Sequence, residues 1–157
     1  MSKTLCVFYS WAGNSREVSG IVGQSTGADV FELSPLRQYS SDYKTCCKEA
    51  EAEKRNGERP GLKALPDTEG YDAIVLCYPC WWGTMPMFFW TLLESCDMSG
   101  RRILPVCCNG GSGMGRSVSD IRELCPGSQV CDGLPVPDGK VAENRERITS
   151  WLAEQGL

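Results

Sequence analysis

Histidine is absent from all 157 residues of the sequence. This absence excludes Ser-His-Asp and Cys-His catalytic arrangements, and it excludes every metal site that needs an imidazole ligand. Long hydrophobic runs are absent too, because no apolar stretch approaches the roughly 18 residues of a membrane-spanning helix. The beginning of the chain, Met1-Ser2-Lys3, lacks the extended apolar stretch of a signal peptide. We therefore expect a cytoplasmic protein that does not contact a membrane.

Basic residues are fewer than acidic residues in the chain. The chain carries 16 Lys and Arg residues against 20 Asp and Glu residues, which gives a formal net charge of −4. A net negative surface is a poor match for nucleic acids and for anionic membranes, so we expect neither as a partner. An acidic surface could instead dock a basic partner protein, although most acidic proteins are acidic only for solubility.

Cysteine, in contrast, is abundant, with ten residues in the chain. In a secreted protein this number would indicate a disulfide scaffold. Nothing in the sequence indicates secretion, and most of the cysteines lie in apolar surroundings. We therefore interpret most of them as reduced thiols that act as small hydrophobic side chains.

Strand-like and helix-like segments alternate along the chain, and its length suits one domain, residues 1–157. Residues 4–9 form a continuous apolar run, which is typical of a strand covered on both faces, and residues 71–78 give the clearest strand pattern of the chain. The alternation predicts an α/β protein whose doubly wound parallel sheet lies between two layers of helices. The predicted strands are residues 4–9, 29–33, 71–78, 102–108 and 128–132, and the predicted helices are residues 14–25, 42–54, 86–96, 116–124 and 141–154.

Three strand-to-helix loops have unusual compositions, and all three are expected at the ligand-binding edge of the sheet, where parallel strands end. The first loop, SWAGNS at residues 10–15, places hydroxyl and amide side chains just before a helix. Unpaired N–H groups and the helix dipole favour an anion there, and Gly13 permits close approach of the backbone. No lysine and no G-x-x-x-x-G-K-[ST] pattern are present, so a phosphate monoester fits better than a nucleoside triphosphate. The alternative is an ordinary helix cap at Asn14 or Ser15.

The loops at residues 79–85 and 109–116 could enclose a flat ring. Trp81 and Trp82 follow a buried strand and could form a wall against an aromatic ligand, or both could pack in the core. The third loop, NGGSGMG, allows the backbone to approach the edge of a planar ring. A monophosphate pocket, an aromatic wall and a backbone-lined slot together match the shape of flavin mononucleotide (FMN).

The sequence resembles the flavodoxin family, in particular the short flavodoxin-like proteins of bacteria. The segment SWAGNS is similar to the phosphate loop of that family, usually S-x-T-G-N-T, with Ala12 and Ser15 in place of the two threonines. PCWWGTMP resembles the second flavin loop of the subgroup. NGGSGMGRS resembles its third loop, usually T-H-G-G-S-G, with Cys108-Asn109 where Thr-His is usual. The resemblance covers nearly the whole chain.

This resemblance implies a five-stranded parallel sheet in the order 2-1-3-4-5 and a non-covalently bound FMN. It also implies electron transfer to or from a redox partner protein or a small electron acceptor, with no catalytic side chain and no metal. The residues that it places at the cofactor are Ser10, Trp11, Ala12, Gly13, Asn14, Ser15, Pro79, Cys80, Trp81, Trp82, Gly83, Thr84, Asn109, Gly110, Gly111, Ser112 and Gly113.

Other functions are compatible with parts of the sequence. An FMN-dependent oxidoreductase could take hydride from NAD(P)H and pass it to a quinone, since such enzymes often lack a nicotinamide motif. A thiol-disulfide protein could use the C-x-x-C motif of Cys77 and Cys80, and Cys80 could also meet Cys107 or Cys108. A fold that has lost its cofactor could serve as a binding module. A phospho-receiver domain is disfavoured, because the first strand ends in FYS rather than in the acidic residues that hold magnesium.

Overall fold

Residues 3–157, the part of the chain that the computed structural model describes, form six parallel strands and five helices, which alternate except that the last two strands follow one another. The strands are β1 (Thr4–Phe8), β2 (Asp29–Glu32), β3 (Ala73–Pro79), β4 (Arg102–Asn109), β5 (Gln129–Val130) and β6 (Leu134–Pro137). The helices are α1 (Asn14–Thr26), α2 (Tyr43–Arg55), α3 (Phe88–Ser95), α4 (Ser117–Leu124) and α5 (Arg145–Glu154), with a 3₁₀ turn at Ala142–Asn144 before α5. The strand order is β2-β1-β3-β4-β5, and β6 also pairs with β4. The order implied by the family resemblance is confirmed.

Strand β3 lies between β1 and β4 and is buried on both faces. Its side chains from Ala73 to Tyr78 are all inaccessible to solvent. The register with β1 places Val7 beside Leu76, so the apolar side chains of the two strands form one continuous surface. Helices cover both faces, which explains why the chain needs no polar residue between Ala73 and Tyr78.

The two faces of the sheet carry separate apolar layers. In the first layer, α1 and α5 pack on the sheet and on each other through residues that include Val22 and Leu152. In the second layer, α3 and α4 cover the opposite face through residues that include Phe88 and Ile121. Cys46, on the buried side of α2, joins this second layer. The doubly wound arrangement predicted from the sequence is confirmed.

Two short strands occupy the last position of the sheet. Strand β5 pairs with the first two residues of β4, whereas β6 pairs with its last four. The sequence predicts one strand at residues 128–132 and an irregular connection after it, and the second part of this prediction is wrong. Leu134 and Val136 face the core, and Pro135 and Pro137 alternate with them. The prolines hide the strand in the sequence, because proline is tolerated only at the edge of a sheet, where its missing N–H costs no hydrogen bond.

Candidate functional site

A cavity of about 360 Å³ lies at the carboxyl edge of the sheet, between the loops after β1, β3, β4 and β6 and one side of α2. This is the edge at which the sequence predicts a ligand. The predicted site residues that line the cavity are Ser10, Trp11, Ala12, Asn14, Ser15, Pro79, Cys80, Trp81, Trp82 and Gly110. Residues that line it without having been predicted are Tyr43, Cys46, Cys47, Ala50, Cys108 and Asp138.

The loop between β1 and α1 ends in a left-handed glycine. Gly13 has a φ of 101° and stands immediately before the first helical residue. Its N–H donates to the hydroxyl of Ser10 at 2.9 Å, and no side chain caps the helix. Neither Asn14 nor Ser15 therefore fills the capping role that the sequence left open. The first N–H groups of α1 can instead serve a bound anion.

The hydroxyl of Ser15 is buried and lacks a hydrogen-bond partner. The residue is only 1% exposed, and no other buried side-chain nitrogen or oxygen in residues 3–157 is left unpartnered. Its polar neighbour is the thiol of Cys108, a weak hydrogen-bonding group that burial keeps neutral by raising its pKa to about 11. An unpartnered buried hydroxyl costs about 1–3 kcal/mol. Ser15 thus points to a ligand oxygen that would complete this part of the cavity.

Asn14 and Asp138 join the first loop to the segment after β6. The side-chain amide of Asn14 donates to the Asp138 carboxylate at 3.4 Å, and its oxygen accepts the N–H of Gly139 at 2.9 Å. Partial burial raises the pKa of Asp138. The sequence does not point to Asp138, because it does not predict strand β6. The loop that follows β6 is therefore not expected at the ligand-binding edge.

Aromatic side chains from three segments line the cavity. The indole N–H of Trp11 donates to the carbonyl of Ser40 at 2.9 Å, and its ring contacts Tyr43 edge-on at 6.1 Å between centroids. Trp82 is 47% exposed and donates its indole N–H to the carbonyl of Cys47 at 2.8 Å. These contacts hold the polar edges of both indoles and leave aromatic surface available to a ligand.

Trp81 lines the cavity as well but is anchored in the second layer. Its ring contacts Tyr39 at 5.0 Å, Tyr9 at 5.6 Å and Phe88 at 6.1 Å between centroids, each in an edge-on arrangement. The sequence left open whether the two tryptophans form a wall or pack in the core. The structure separates them: Trp81 joins the core to the cavity, and Trp82 lies at the surface.

The turn that carries Trp82 is strained. Trp82 and Gly83 have φ values of 56° and 80°, and the N–H of Trp81 donates to the carbonyl of Thr84 at 2.8 Å. Positive φ at both central residues is typical of a type I′ turn, in which asparagine and glycine are preferred. Placing a tryptophan there costs about 1–2 kcal/mol, and such strain concentrates at functional sites.

The glycine-rich loop after β4 is organised by Asn109. The side-chain oxygen of Asn109 accepts the N–H groups of Gly111 and Gly113, both at 3.0 Å. The loop approaches the Trp82 turn so closely that a Cβ on Gly115 would lie 2.2 Å from the carbonyl oxygen of Gly83. The predicted site residues that do not line the cavity are Gly13, Gly83, Thr84, Asn109, Gly111, Ser112 and Gly113, and their contact with a cofactor stays a prediction.

Cys80, just after β3, contributes a thiol to the cavity, and its sulfur lies 3.2 Å from the hydroxyl oxygen of Ser112. A hydrogen bond with the Cys107 thiol lowers the pKa of Cys80 to about 6, with further contributions from Ser112 and the N–H of Gly83. The same hydrogen bond, together with burial, raises the pKa of Cys107 far above the usual range of a thiol. These contacts therefore favour the thiolate form of Cys80, and Cys107 stays neutral.

The two cysteines of the C-x-x-C motif lie on opposite faces of the sheet. Cys77 is fully buried in the first layer, with its sulfur 3.8 Å from that of Cys6. Cys80 packs against the second layer. This separation removes the basis for a dithiol formed by Cys77 and Cys80.

None of the described helices combines the length and the apolar character that crossing a membrane requires. Within residues 3–157, no three Cys, Asp or Glu side chains come together in a way that could hold a metal ion.

The chain matches a known protein family over nearly its whole length. A family model described as flavodoxin matches residues 3–155. No curated protein matches the sequence.

Several solved structures share the fold. A protein of Bacteroides eggerthii DSM 20697 with a provisional flavoprotein assignment is 23% identical, with a TM-score of 0.86 over 100% of this chain and 99% of its own. A flavoprotein of Lactobacillus acidophilus NCFM, solved in complex with FMN, is 21% identical, with a TM-score of 0.74 over 91% of this chain and 98% of its own. Oxidised flavodoxin 1 of Bacillus cereus is 18% identical, with a TM-score of 0.64 over 98% of this chain and 96% of its own.

Proposed function

This chain belongs to the flavodoxin family, and on that basis we propose that it binds one FMN non-covalently and transfers electrons through it. The observation that carries the proposal is the buried, unpartnered hydroxyl of Ser15 beside the uncapped beginning of α1. A phosphate group at this position would accept hydrogen bonds from both. The FMN complex of the Lactobacillus acidophilus protein, which has the same fold, supports this assignment.

Neutral donors would hold the phosphate. The described residues that line the cavity include no lysine and no arginine. The available donors are the hydroxyls of Ser10 and Ser15 and the first N–H groups of α1. Hydrogen bonds from neutral groups and the helix dipole suit a phosphate monoester, whereas a triphosphate would need cationic side chains or a metal.

The flavin ring would lie among the aromatic side chains at the other part of the cavity. Trp82, with Tyr43 and Trp11, supplies aromatic surface for a planar ring. When bound, the flavin supplies reversible electron uptake, and the protein controls this chemistry through ring contacts and nearby charges. Trp82 and Tyr43 are 47% and 69% exposed, so they lie where an electron donor or acceptor can approach.

We propose a redox partner protein or a small electron acceptor as the recipient of the electrons, and the cytoplasm as the location. All ten cysteines are free thiols, and free thiols persist in reducing compartments. The partially exposed aromatic rim of the cavity supports direct electron transfer to a partner that approaches it.

Titration of the purified protein with FMN, followed by flavin fluorescence and visible absorbance, tests the proposal. We expect quenching that saturates at one FMN per chain. The variant Gly13→Asp places a carboxylate against the phosphate and should weaken binding by at least roughly tenfold. The control is Gly57→Asp, which makes the same change at a left-handed glycine (φ 61°) outside the cavity. Absence of quenching, or equal losses in the two variants, would contradict the proposed site.

A second assay separates an electron carrier from an oxidoreductase. The FMN-loaded protein is mixed with NADH or NADPH and a quinone, and nicotinamide oxidation is followed. A carrier oxidises little nicotinamide without a reductase. Repeated turnover by the protein alone would favour the FMN-dependent NAD(P)H:quinone oxidoreductase instead.

A further inference from the structure

Electron transfer through a bound flavin does not require the thiol of Cys80. Cys80 nevertheless lines the same cavity as Ser15 and Trp82, and it is only partly buried. The cavity therefore brings together a thiol, aromatic side chains and an unpartnered hydroxyl. The chemistry available to Cys80 depends on the reactivity of its thiol and on the space that the thiol shares with a ligand.

The hydroxyl oxygen of Ser112 lies 3.2 Å from the sulfur of Cys80, and groups from three different segments lower the pKa of this thiol. The thiol of Cys107 comes from buried strand β4, the hydroxyl of Ser112 from the glycine-rich loop, and the N–H of Gly83 from the strained turn. Donors arranged around a sulfur stabilise its anionic form. The arrangement depends on the close packing of the turn against the loop at Gly115.

Two other titratable groups, Asp138 and Tyr78, also face Cys80. Asp138, from the segment after β6, carries a negative charge that opposes the thiolate. Tyr78 on β3 is neutral, since burial raises the pKa of its phenol well above the ordinary value. The donors outweigh the repulsion by Asp138, and the pKa of Cys80 falls to about 6.

We propose that Cys80 is a nucleophilic thiolate that reacts with low-molecular-weight disulfides entering the cavity, and that modified Cys80 and bound FMN exclude one another. The exclusion rests on the proposed FMN-binding function, whereas the reactivity does not. A substituent on Cys80 occupies part of the 360 Å³ cavity that the flavin would fill. Bound FMN then shields Cys80, so the rate of modification falls with the FMN-free fraction of the protein, and a substituent on Cys80 in turn weakens FMN binding.

The reaction is a thiol-disulfide exchange. The Cys80 thiolate attacks one sulfur of the small disulfide, and a new sulfur–sulfur bond forms to Cys80. The original sulfur–sulfur bond breaks, and the other half leaves as a thiolate with the bonding electron pair. The disulfide is the oxidant, so no further reactant is needed.

Most other thiols of the chain should react slowly. Near pH 5.5, a thiol with a pKa of about 6 is partly ionised, whereas an ordinary thiol is almost fully protonated. The lower intrinsic nucleophilicity of an acidic thiol offsets part of this advantage, which leaves a rate on the order of tenfold higher for Cys80. The thiols whose pKa is raised chiefly by burial are Cys46, Cys96, Cys108, Cys125 and Cys131.

The reactivity is tested on the FMN-free protein with 4,4′-dithiodipyridine, an uncharged disulfide that Asp138 does not repel. We expect a fast phase of one equivalent, with a rate that rises through about pH 6 and then levels off. Cys80→Ser should abolish this phase, and Cys131→Ser should retain it. Mass spectrometry of the wild-type digest identifies the labelled peptide without relying on a variant. A fast phase that survives in Cys80→Ser, or label on another peptide, overturns the proposal.

A pair of variants at Cys107 separates stabilisation of the thiolate from simple packing. Cys107→Ala removes the donor and should shift the midpoint of the pH profile upward, with a slower fast phase at acidic pH. Cys107→Ser keeps a donor at the same position and should restore the wild-type profile. Equal profiles in the two variants would show that Cys107 only fills space.

FMN protection tests the exclusion. FMN at a concentration that saturates fluorescence quenching should slow the fast phase at least roughly tenfold, because only the small FMN-free fraction of the protein reacts. Protein methylthiolated at Cys80 with methyl methanethiosulfonate should bind FMN correspondingly weaker. If FMN fluorescence is quenched but the fast phase is not slowed, FMN binds and the mutual exclusion of FMN and modified Cys80 is refuted. Absence of quenching rejects the FMN-binding function and the exclusion together, and the Cys80→Ser comparison still decides the reactivity.

Discussion

At the scale of single residues, Asp138 is a negative charge that would repel the proposed phosphate. Its carboxylate lines the cavity and accepts a hydrogen bond from Asn14 at 3.4 Å. Partial burial raises its pKa above the ordinary value. A carboxyl with a raised pKa stabilises the folded protein at low pH, and this contribution is lost as the pH rises through its folded-state pKa. At neutral pH the ionised Asp138 therefore opposes both folding and anion binding.

We predict that Asp138→Asn raises the affinity for FMN roughly three- to tenfold at neutral pH, because it removes one repulsive charge. The gain should shrink as the pH falls and Asp138 becomes protonated in the wild type. Fluorescence titrations at several pH values measure both effects. Asp67→Asn makes the same charge change outside the cavity and should leave the affinity unchanged. A loss of affinity in Asp138→Asn would show that the carboxylate binds the ligand instead.

Trp82 is the residue whose exposure and strain are hardest to explain without a ligand. We predict that Trp82→Ala weakens FMN binding by roughly tenfold or shifts the flavin potentials, since it removes aromatic contact with the ring. Titration and potentiometry measure the two effects. The control is Trp151→Phe on α5, which lies in the first layer and away from the cavity. If Trp82→Ala binds like the wild type with unchanged potentials, the aromatic wall is wrongly assigned.

The sequence predicts the position and the role of some residues at the cavity better than those of others. Ser15, in the first turn of α1, and Trp82, in a strand-to-helix loop, both follow the ends of parallel strands, and the edge of the sheet at which these ends lie can be deduced from the alternation of elements. Asn109 ends strand β4 next to such a loop, yet its amide oxygen serves the loop itself, by accepting the N–H groups of Gly111 and Gly113. A motif locates such a residue, but only the folded loop shows which of its atoms are already engaged.

At the scale of elements, helix α2 forms a cavity wall that depends on a buried ionisable cluster. Glu53 on α2 is 1% exposed and accepts the hydroxyl of Tyr39 at 2.8 Å and the guanidinium of Arg37 at 2.9 Å. Burial raises the pKa of Glu53 despite these partners. The cluster fixes α2 against the second layer, so that Tyr43 and Ala50 face the cavity.

We predict that Tyr39→Phe lowers the free energy of unfolding by about 1–3 kcal/mol at neutral pH, because ionised Glu53 loses a donor. Glu53 stabilises the fold most when it is protonated, and this contribution is lost as the pH rises through its raised pKa. The destabilisation should therefore be smaller at acidic pH. Urea unfolding at two pH values measures it. Tyr71→Phe, which removes a hydroxyl bonded to Asp29 at the surface, is the matched control. Equal losses in the two variants would contradict the account of α2.

The helix itself is predictable from the sequence, but its role is not. Its charged and alanine-bearing composition predicts a helix at residues 42–54, and α2 runs from Tyr43 to Arg55. The face that lines the cavity is set by Arg37 and Tyr39, which precede the helix and bond to Glu53 through the folded structure. Strand β6 escapes prediction for a different reason, since its alternating prolines read as a loop unless the strand is known to lie at the sheet edge.

At the scale of the whole molecule, topology determines where the site lies. The order 2-1-3-4-5 brings the loops after β1, β3 and β4 to one edge, and the cavity lies there. The motifs and the alternation of elements suffice to predict this much. The closure of the cavity by α2 and by the segment at Asp138 depends on long-range contacts that leave no local pattern in the sequence.

The measurement that tests the account most directly compares FMN with riboflavin, its analogue without the phosphate, in the wild type and in Ser15→Ala. The buried hydroxyl of Ser15 is assigned to the phosphate, so its removal should weaken FMN binding by roughly tenfold. Riboflavin binding should be weaker in the wild type and unchanged by the substitution. Equal losses for both ligands, or no loss for FMN, would contradict the assignment of this cavity to a flavin phosphate.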